Sequence, residues 1–269
     1  MAIRKLRFMT YLAPSIPEVF YRELVGKLGS LLDIETTLQL DSAASGPTSV
    51  GRDPLTRGEV DVAFLCAPSY LWLRDLKPSP IALVGAAPVP MDERNEGAPV
   101  FFSEVIVEKG AGLESFDDLE GCLFAYNDTQ SLSGYYAMLR TLEDEKRSEH
   151  FFSSMVMTGS HLGAIEQVRT GEADAACIDS QVLVRCLAED PTLGDEIQVI
   201  RSLGPLPIQP LVIRSALPAE LQRSLAEALC SLHENAEGRD LLERHGYQRF
   251  APPDESLYTR ERLLAHYGP

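Results

Sequence analysis

The stretch Leu123-Phe-Ala-Tyr-Asn-Asp-Thr-Gln-Ser-Leu-Ser-Gly-Tyr-Tyr136, running on to Leu142, decides the fold. Leu123–Tyr126 is a short apolar run of strand length. Asn127 to Leu132 is polar and rich in hydroxyls. From Ser133 to Leu142 the apolar residues recur at helical spacing. A strand, a short polar turn and a helix make up the repeating unit of an α/β sheet.

Outward from that stretch the alternation recurs. Toward the N-terminus, Leu6–Leu12, Ile34–Leu40, Val60–Cys66, Ile81–Ala87 and Phe101–Val107 are expected as strands. Pro17–Leu32 and Ser69–Leu76 are expected as helices, the first opened by a capping box of Ser15 and Glu18. Phe116–Leu119 is a helical turn closed by Gly121. Toward the C-terminus, Phe151–Met157, Ala173–Ile178, Ile197–Arg201 and Leu211–Arg214 are expected strands, the last two flanking a Pro-rich connection from Gly204 to Pro210. His161–Thr170, Gln181–Leu187, Ala219–Asn235, Gly238–Arg244 and Arg260–His266 are expected helices. The pattern predicts parallel sheets with helices on both faces, and ligands of such sheets bind beyond the carboxyl ends of the strands.

Composition bounds the function. The chain has 269 residues, 45% hydrophobic and 24% charged, which suits two globular lobes. The formal net charge is −16 and no basic stripe is present, so nucleic acid is not an expected partner. No run approaches the roughly 18 apolar residues of a membrane span, so the protein is not expected to be membrane-inserted. Met1 to Thr10 has positive charges but no apolar h-region or small-residue cleavage site, so either a secretory signal lies outside this sequence or the protein is cytosolic. The five cysteines include no CxxC pair, so neither a disulfide framework nor a zinc site is expected. Cys66 and Cys177 sit in apolar runs, where buried inert thiols are expected.

The turns carry the functional signal. Four of them follow strands and open helices: Ala67-Pro-Ser69-Tyr70, Asn127 to Tyr136, Thr158-Gly-Ser-His161, and Asp179-Ser180. All four offer small hydroxyl residues and none contains Lys or Arg. The first turn of a helix leaves amide N–H groups without intrahelical partners, and the macrodipole adds partial positive charge. Together they form an anion site that needs no cationic side chain. Any single Ser or Thr there is ordinarily an N-cap. Ser131 and Ser133 together exceed what a cap needs, and Gly134 is expected to let an anion approach the backbone closely. Ser69 is either a cap or a ligand contact. His161, at a helix start, is either structural or a neutral imidazole donor. Asp179 either caps the next helix or accepts a proton from a ligand hydroxyl or ammonium.

In this order the motifs resemble the phosphonate-binding (PhnD-like) branch of periplasmic solute-binding proteins of ABC transporters. The pieces are Gly58-Glu-Val-Asp-Val-Ala-Phe64 running to Tyr70, Phe116-Asp-Asp-Leu-Glu-Gly121, Asp128-Thr-Gln-Ser-Leu-Ser-Gly-Tyr135, Phe151-Phe-Ser153, Thr158-Gly-Ser-His161, Gly171-Glu-Ala-Asp-Ala-Ala176 and Pro207-Ile-Gln-Pro210. The paired Ser-x-Ser-Gly-Tyr and Gly-Ser-His are the specific ones. The resemblance implies a type II, two-lobed periplasmic-binding-protein fold with a ligand cleft between lobes. Lobe 1 would hold residues 1–105 plus 206–269 and lobe 2 residues 106–205, with Phe101–Val107 and Leu206–Arg214 as a two-segment hinge. It implies that Ser131, Ser133, Gly134, Tyr135 and His161 hold a phosphonate or phosphate group. Asp179 would help choose the substituent, and Tyr70, from the first lobe, would close over the ligand. It also implies an ABC permease as partner and a periplasmic location, with the cytoplasm as the alternative.

Two other classes share the fold. One is a cytosolic enzyme resembling the menaquinone-pathway chorismate dehydratase type; the other is a ligand-binding sensor. No nucleophile–base pairing, metal-ligand spacing or Gly-rich nucleotide motif is found, so no catalytic residue, metal or cofactor is expected.

Overall fold

The computed structural model describes residues 4–41, 45–47, 53–148 and 150–264. The chain splits into two compact units, Met1–Val100 with Pro207–Tyr258, and Phe101–Leu206 with Thr259–Pro269. The segment from Thr259 thus groups with the second unit, where the sequence placed it with the first.

In chain order the first unit opens with β1 (Lys5–Thr10), α1 (Glu18–Leu32), β2 (Glu35–Leu40), β3 (Val62–Phe64), α2 (Ala67–Arg74), β4 (Ile81–Leu83) and β5 (Ala87–Pro90). The second follows with β6 (Val100–Glu108), β7 (Leu123–Tyr126), α3 (Ala137–Asp144), β8 (Ser154–Met157), α4 (His161–Arg169), β9 (Ala175–Asp179), α5 (Ser180–Glu189), α6 (Leu193–Glu196) and β10 (Ile197–Pro207). The chain then adds β11 (Leu211–Arg214), α7 (Ala219–Cys230), α8 (Ala236–Arg244) and β12 (Tyr247–Ala251) to the first unit, and ends its described part with α9 (Arg260–Leu263). Ala265 and His266, expected in that last helix, lie outside the described residues.

The sheet of the first unit has the order β2-β1-β3-β11-β4, that of the second β10-β6-β9-β7-β8. Neither is all-parallel, as the alternation predicted. In the first unit β1 runs parallel to β2 and β3, but β11 is antiparallel to β3 and β4. In the second, β7 is parallel to β8 and β9, but β6 is antiparallel to β9. A strand buried on both faces carries the same apolar run whichever way it points, so the pattern could not give its direction.

Three further differences have local causes. Helix α1 starts at Glu18 with Pro17 at the N-cap and no side-chain cap, so the Ser15–Glu18 capping box does not form. Proline at the boundary fixes φ itself, and the helix needs no hydroxyl to begin. The run Ile81–Ala87 breaks into β4 and β5, and β5 pairs instead with β12, which the sequence reading missed. Strand β10 continues through Pro207, past the point where the proline-rich stretch was expected to end it.

The core of the first unit packs α1, through Phe20, Tyr21, Leu24, Val25 and Leu28, against β-strand residues such as Leu6, Phe8 and Val62 and against Leu225 and Leu229 of α7. In the second unit alternate strand residues face opposite ways. Val105, Phe124 and Cys177 pack toward Ala137, Met138 and Leu142 of α3. Ile106, Ala125 and Ile178 pack toward Ala164, Ile165 and Val168 of α4 and Val182 of α5. The result is a sheet whose central strands, β6, β9 and β7, are covered by helices on both faces.

One ion cluster ties the first sheet together. Asp61, just ahead of β3 and 4% exposed, accepts from the Arg7 backbone N (3.0 Å), from Arg7 Nε and Nη2 (both 2.8 Å) and from Arg214 Nη2 (3.2 Å). Burial alone would raise the Asp61 pKa, but the hydrogen bonds and charge of Arg7, with Arg214, hold it below the usual carboxylate value. Removing one partner leaves the others partly buried and unpaired. Because the Arg7 side chain is 37% exposed, we expect Asp61→Ala to cost about 2 kcal/mol rather than the larger loss of a fully buried pair. Urea denaturation of the variant checks this, and a loss below about 0.5 kcal/mol, the scale of an ordinary surface change, would contradict it.

Candidate functional site

In the second unit, β7, β8 and β9 are mutually parallel, so their carboxyl ends lie along one edge of the sheet. The antiparallel β6 brings its start to that edge, with Ser103 opposite Asp179. Among the described residues, the buried polar side chains of this unit gather there: Ser103, Asn127, Asp128, Ser131, Ser133, His161, Asp179 and Ser180, with Glu104 beside them on β6.

The turn after β7 is not an ordinary helix start. Leu132–Tyr136 form a π-helical turn that leads into α3, with the Tyr136 N–H donating to the Ser131 carbonyl at 3.1 Å. Such wide turns are rare and recur at functional sites. Ser131 is the N-cap, its Oγ accepting from the Gly134 N–H at 3.0 Å. Its hydroxyl proton is still available to donate. The Ser133 carbonyl accepts from Ser103 Oγ at 2.7 Å, and Ser133 Oγ lies 3.2 Å from His161 Nε2.

The structure changes the role of Gly134. Its N–H is taken by Ser131, and a methyl group added at its Cα would overlap Asn127 Oδ1, lie 2.9 Å from Asn127 Cγ and 3.1 Å from His161 Cε1. The missing side chain makes room for Asn127, rather than for the close anion approach expected at that position. Tyr135 packs at a tilt against Tyr126 with ring centroids 4.8 Å apart and meets Tyr136 edge-on at 5.4 Å, forming an aromatic cluster beside the turn.

The turn after β8 sets the histidine. Ser160 caps α4, accepting from the Gly163 N–H at 3.0 Å, and His161 is the first helical residue. Burial pushes the His161 pKa down to about 4; the Cys177 backbone acts in the opposite direction, and the charge of Arg185 lowers it further. The ring is therefore neutral at ordinary pH, and with Ser133 it shares one proton between two polar atoms. Asp179 caps α5, accepting from the Gln181 N–H at 2.8 Å. Residues directly opposite on antiparallel strands share a face. Asp179 therefore lies on the face of Ser103, whose hydroxyl bonds Ser133.

Ser131, Ser133, Gly134, His161 and Asp179 are thus brought together at one edge, and Tyr135 lies beside them. Ser69 and Tyr70 belong to the first unit, in the first turn of α2, where both are buried. The Tyr70 ring meets Tyr258 edge-on at 5.6 Å, and Tyr258 donates to the Ile208 carbonyl at 2.7 Å. Burial raises the Tyr70 pKa, with Arg74 acting against it. The sequence reading missed Asn127 and Ser103. The signals were faint: a carboxamide directly after a buried strand, and a lone serine in the apolar run Phe101–Val107.

Two compact α/β units with mixed sheets, one carrying hydroxyls and helix starts at the carboxyl edge, define a periplasmic-binding-protein type of molecule. A model of the ABC transporter phosphonate periplasmic substrate-binding protein family matches residues 14–258. The chain belongs to that family: it is a substrate-binding component of the phosphonate type of ABC transporter, and the family is one of transport proteins rather than enzymes. The fold is similar to a binding-protein component of an ABC phosphonate transporter from Pseudomonas aeruginosa, with 18% identity, 95% of this chain and 84% of that chain covered, and a TM-score of 0.77. PhnD1 from Prochlorococcus marinus, solved with methylphosphonate, is similar at 16% identity over 96% of each chain, with a TM-score of 0.76. A Xanthomonas citri protein solved with chloride is similar at 18% identity over 97% of this chain and 95% of that one, with a TM-score of 0.67. Among the described residues, no helix is long and apolar enough to cross a membrane.

The buried histidine makes stability depend on pH. Its folded pKa of about 4 lies below the ordinary histidine value of 6.5. Between those values the unfolded chain binds more protons, so stability falls as pH drops from about 6.5 toward 4 and is unaffected by this group above that window. A shift of that size corresponds to about 3 kcal/mol at the acid end. Guanidinium unfolding at pH 7 and pH 4.5 should show His161→Gln losing about 2 kcal/mol less than the wild type across that interval. Equal losses would contradict a neutral, buried His161.

Proposed function

We propose that this chain captures a phosphonate- or phosphate-type anion at the carboxyl edge of the sheet in the second unit. It would deliver that anion to the permease of its transporter from the periplasm. The single observation that carries the reading is the convergence of Ser131, Ser133 and neutral His161 on one buried polar edge. In that reading the π-turn and the start of α4 direct their first amides and hydroxyls at the ligand oxygens, without a cationic side chain in either turn. Tyr135 borders the ligand's substituent.

Asp179 supplies the selection. A buried carboxylate on the Ser133 face repels an anion unless a proton lies between them. A singly protonated phosphate-type group, or a phosphonate bearing an ammonium, carries that proton, whereas sulfate at neutral pH carries none. The mechanism is capture alone: hydrogen bonds replace hydration at a site built in advance, and no bond in the ligand is made or broken.

Calorimetry with methylphosphonate, phosphate and sulfate tests the reading. Phosphate-type ligands are expected to bind at least about tenfold more tightly than sulfate, a difference of about 1.4 kcal/mol. Asp179→Asn should narrow that gap, because an amide can donate where the carboxylate cannot. Sulfate binding as tightly as phosphate in the wild type would remove the role of Asp179. Ser133→Ala should cost about 1–3 kcal/mol of binding, the loss of a donor to a charged group. Removing both the Ser131 and Ser133 hydroxyls without loss of affinity would overturn the site itself.

A further inference from the structure

Asn127 touches the turns after β7 and β8 and has no part in the binding just described. It follows β7 directly and is 4% exposed. Its backbone carbonyl accepts from the Gly159 N–H at 2.8 Å, fixing the turn before His161. Its Nδ2 donates to Asp128 Oδ2 at 3.1 Å, within the turn that leads to Ser131. Its Oδ1 is buried without a hydrogen-bond partner. That oxygen lies where a side chain at residue 134 would begin, and the same point is 3.1 Å from His161 Cε1.

A buried amide oxygen with no partner costs free energy unless its position serves something else. Here the carboxamide fills the space that only glycine leaves open, between the π-turn and the histidine ring. Reversing the amide would not relieve the cost, because it would set Oδ1 against the Asp128 carboxylate. Neither common replacement suits the position. Aspartate would place a second carboxylate beside Asp128, and leucine would give up the Nδ2 hydrogen bond.

We propose that Asn127 is a positioning residue for the anion site: wedged against Gly134, it holds the Ser133 hydroxyl and the His161 ring at their bonding distance. Asn127 and Gly134 act as one interlocked pair, so residue 134 can gain a side chain only if Asn127 gives way. The proposal rests on the reading of this edge as the anion site for its effect on affinity, but not for its effect on the histidine or on stability.

The test uses the full chain as wild type, Asn127→Ala, Gly134→Ala and the double variant. Three quantities are read: methylphosphonate affinity by calorimetry, thermal midpoint without ligand, and the side-chain nitrogen shifts of His161 by NMR. Asn127→Ala should move the His161 ring shifts and weaken methylphosphonate about tenfold, the lower end of what removing a supporting partner costs at metal sites. Gly134→Ala should lower the midpoint by about 4 °C or more, as overpacking does in a chain of this size. Adding Asn127→Ala to Gly134→Ala should restore most of that loss, because the clashing atoms are then gone and only the His161 contact remains tight. The proposal is overturned if the Asn127→Ala ring shifts match the wild type, or if the double variant is no more stable than Gly134→Ala. Should the wild type bind no methylphosphonate while the ring shifts and the midpoint rescue appear, the positioning role stands and the ligand assignment fails.

Discussion

The hydrogen bond between Ser133 Oγ and His161 Nε2 joins two turns that are 28 residues apart in the chain. It forms because β7 and β8 run parallel and neighbouring, so the turns after them open side by side. The antiparallel β6 adds Ser103 beneath the Ser133 carbonyl, and β9 ends beside it at Asp179. The central strands β6, β7 and β9 are covered on both faces by helices, which leaves the carboxyl edge as the place where backbone amides and hydroxyls collect. The geometry of the sheet therefore precedes the site: the apolar runs fix the strands, the strands fix the edge, and the edge gathers the donors.

That arrangement answers the problem set by charge. At a formal net charge of −16 the average field of the molecule repels an anion. Exposed cations on such a surface would be screened or paired with the many carboxylates. Oriented amides and hydroxyls within a buried edge act in a lower dielectric and are not neutralised by neighbours. Burial also keeps His161 neutral, so binding at the proposed site would not depend on protonating a group beside Arg185. A neutral, pre-placed set of donors favours release as well as capture, which suits a carrier.

The strands and helices around the site were legible in the sequence because their signals are local. β7 and the start of α4 fall where the apolar runs and the Gly-Ser-His turn put them. The Ser131-Leu-Ser133-Gly134 turn drew attention through an excess of hydroxyls, and it is the turn at which the buried polar groups meet. What the sequence did not convey is what depends on distant partners. The directions of β6 and β11 are set by pairing, not by their own residues. β12 exists only because β5 offers it an edge. The π-turn needs the Tyr136-to-Ser131 hydrogen bond, one residue wider than an α-helix, and no propensity encodes that. Gly134 was recognised as special, but the reason lies in Asn127, whose side chain reaches back to it from seven residues earlier.

The most direct measurement is backbone amide NMR of the full chain titrated with methylphosphonate. The account predicts that the largest shift changes at saturation fall on Ser131 to Gly134 and on Ser160 to Leu162, where helix starts present their first N–H groups. Changes confined to residues away from these two turns, with Ser133 and His161 unmoved, would contradict it.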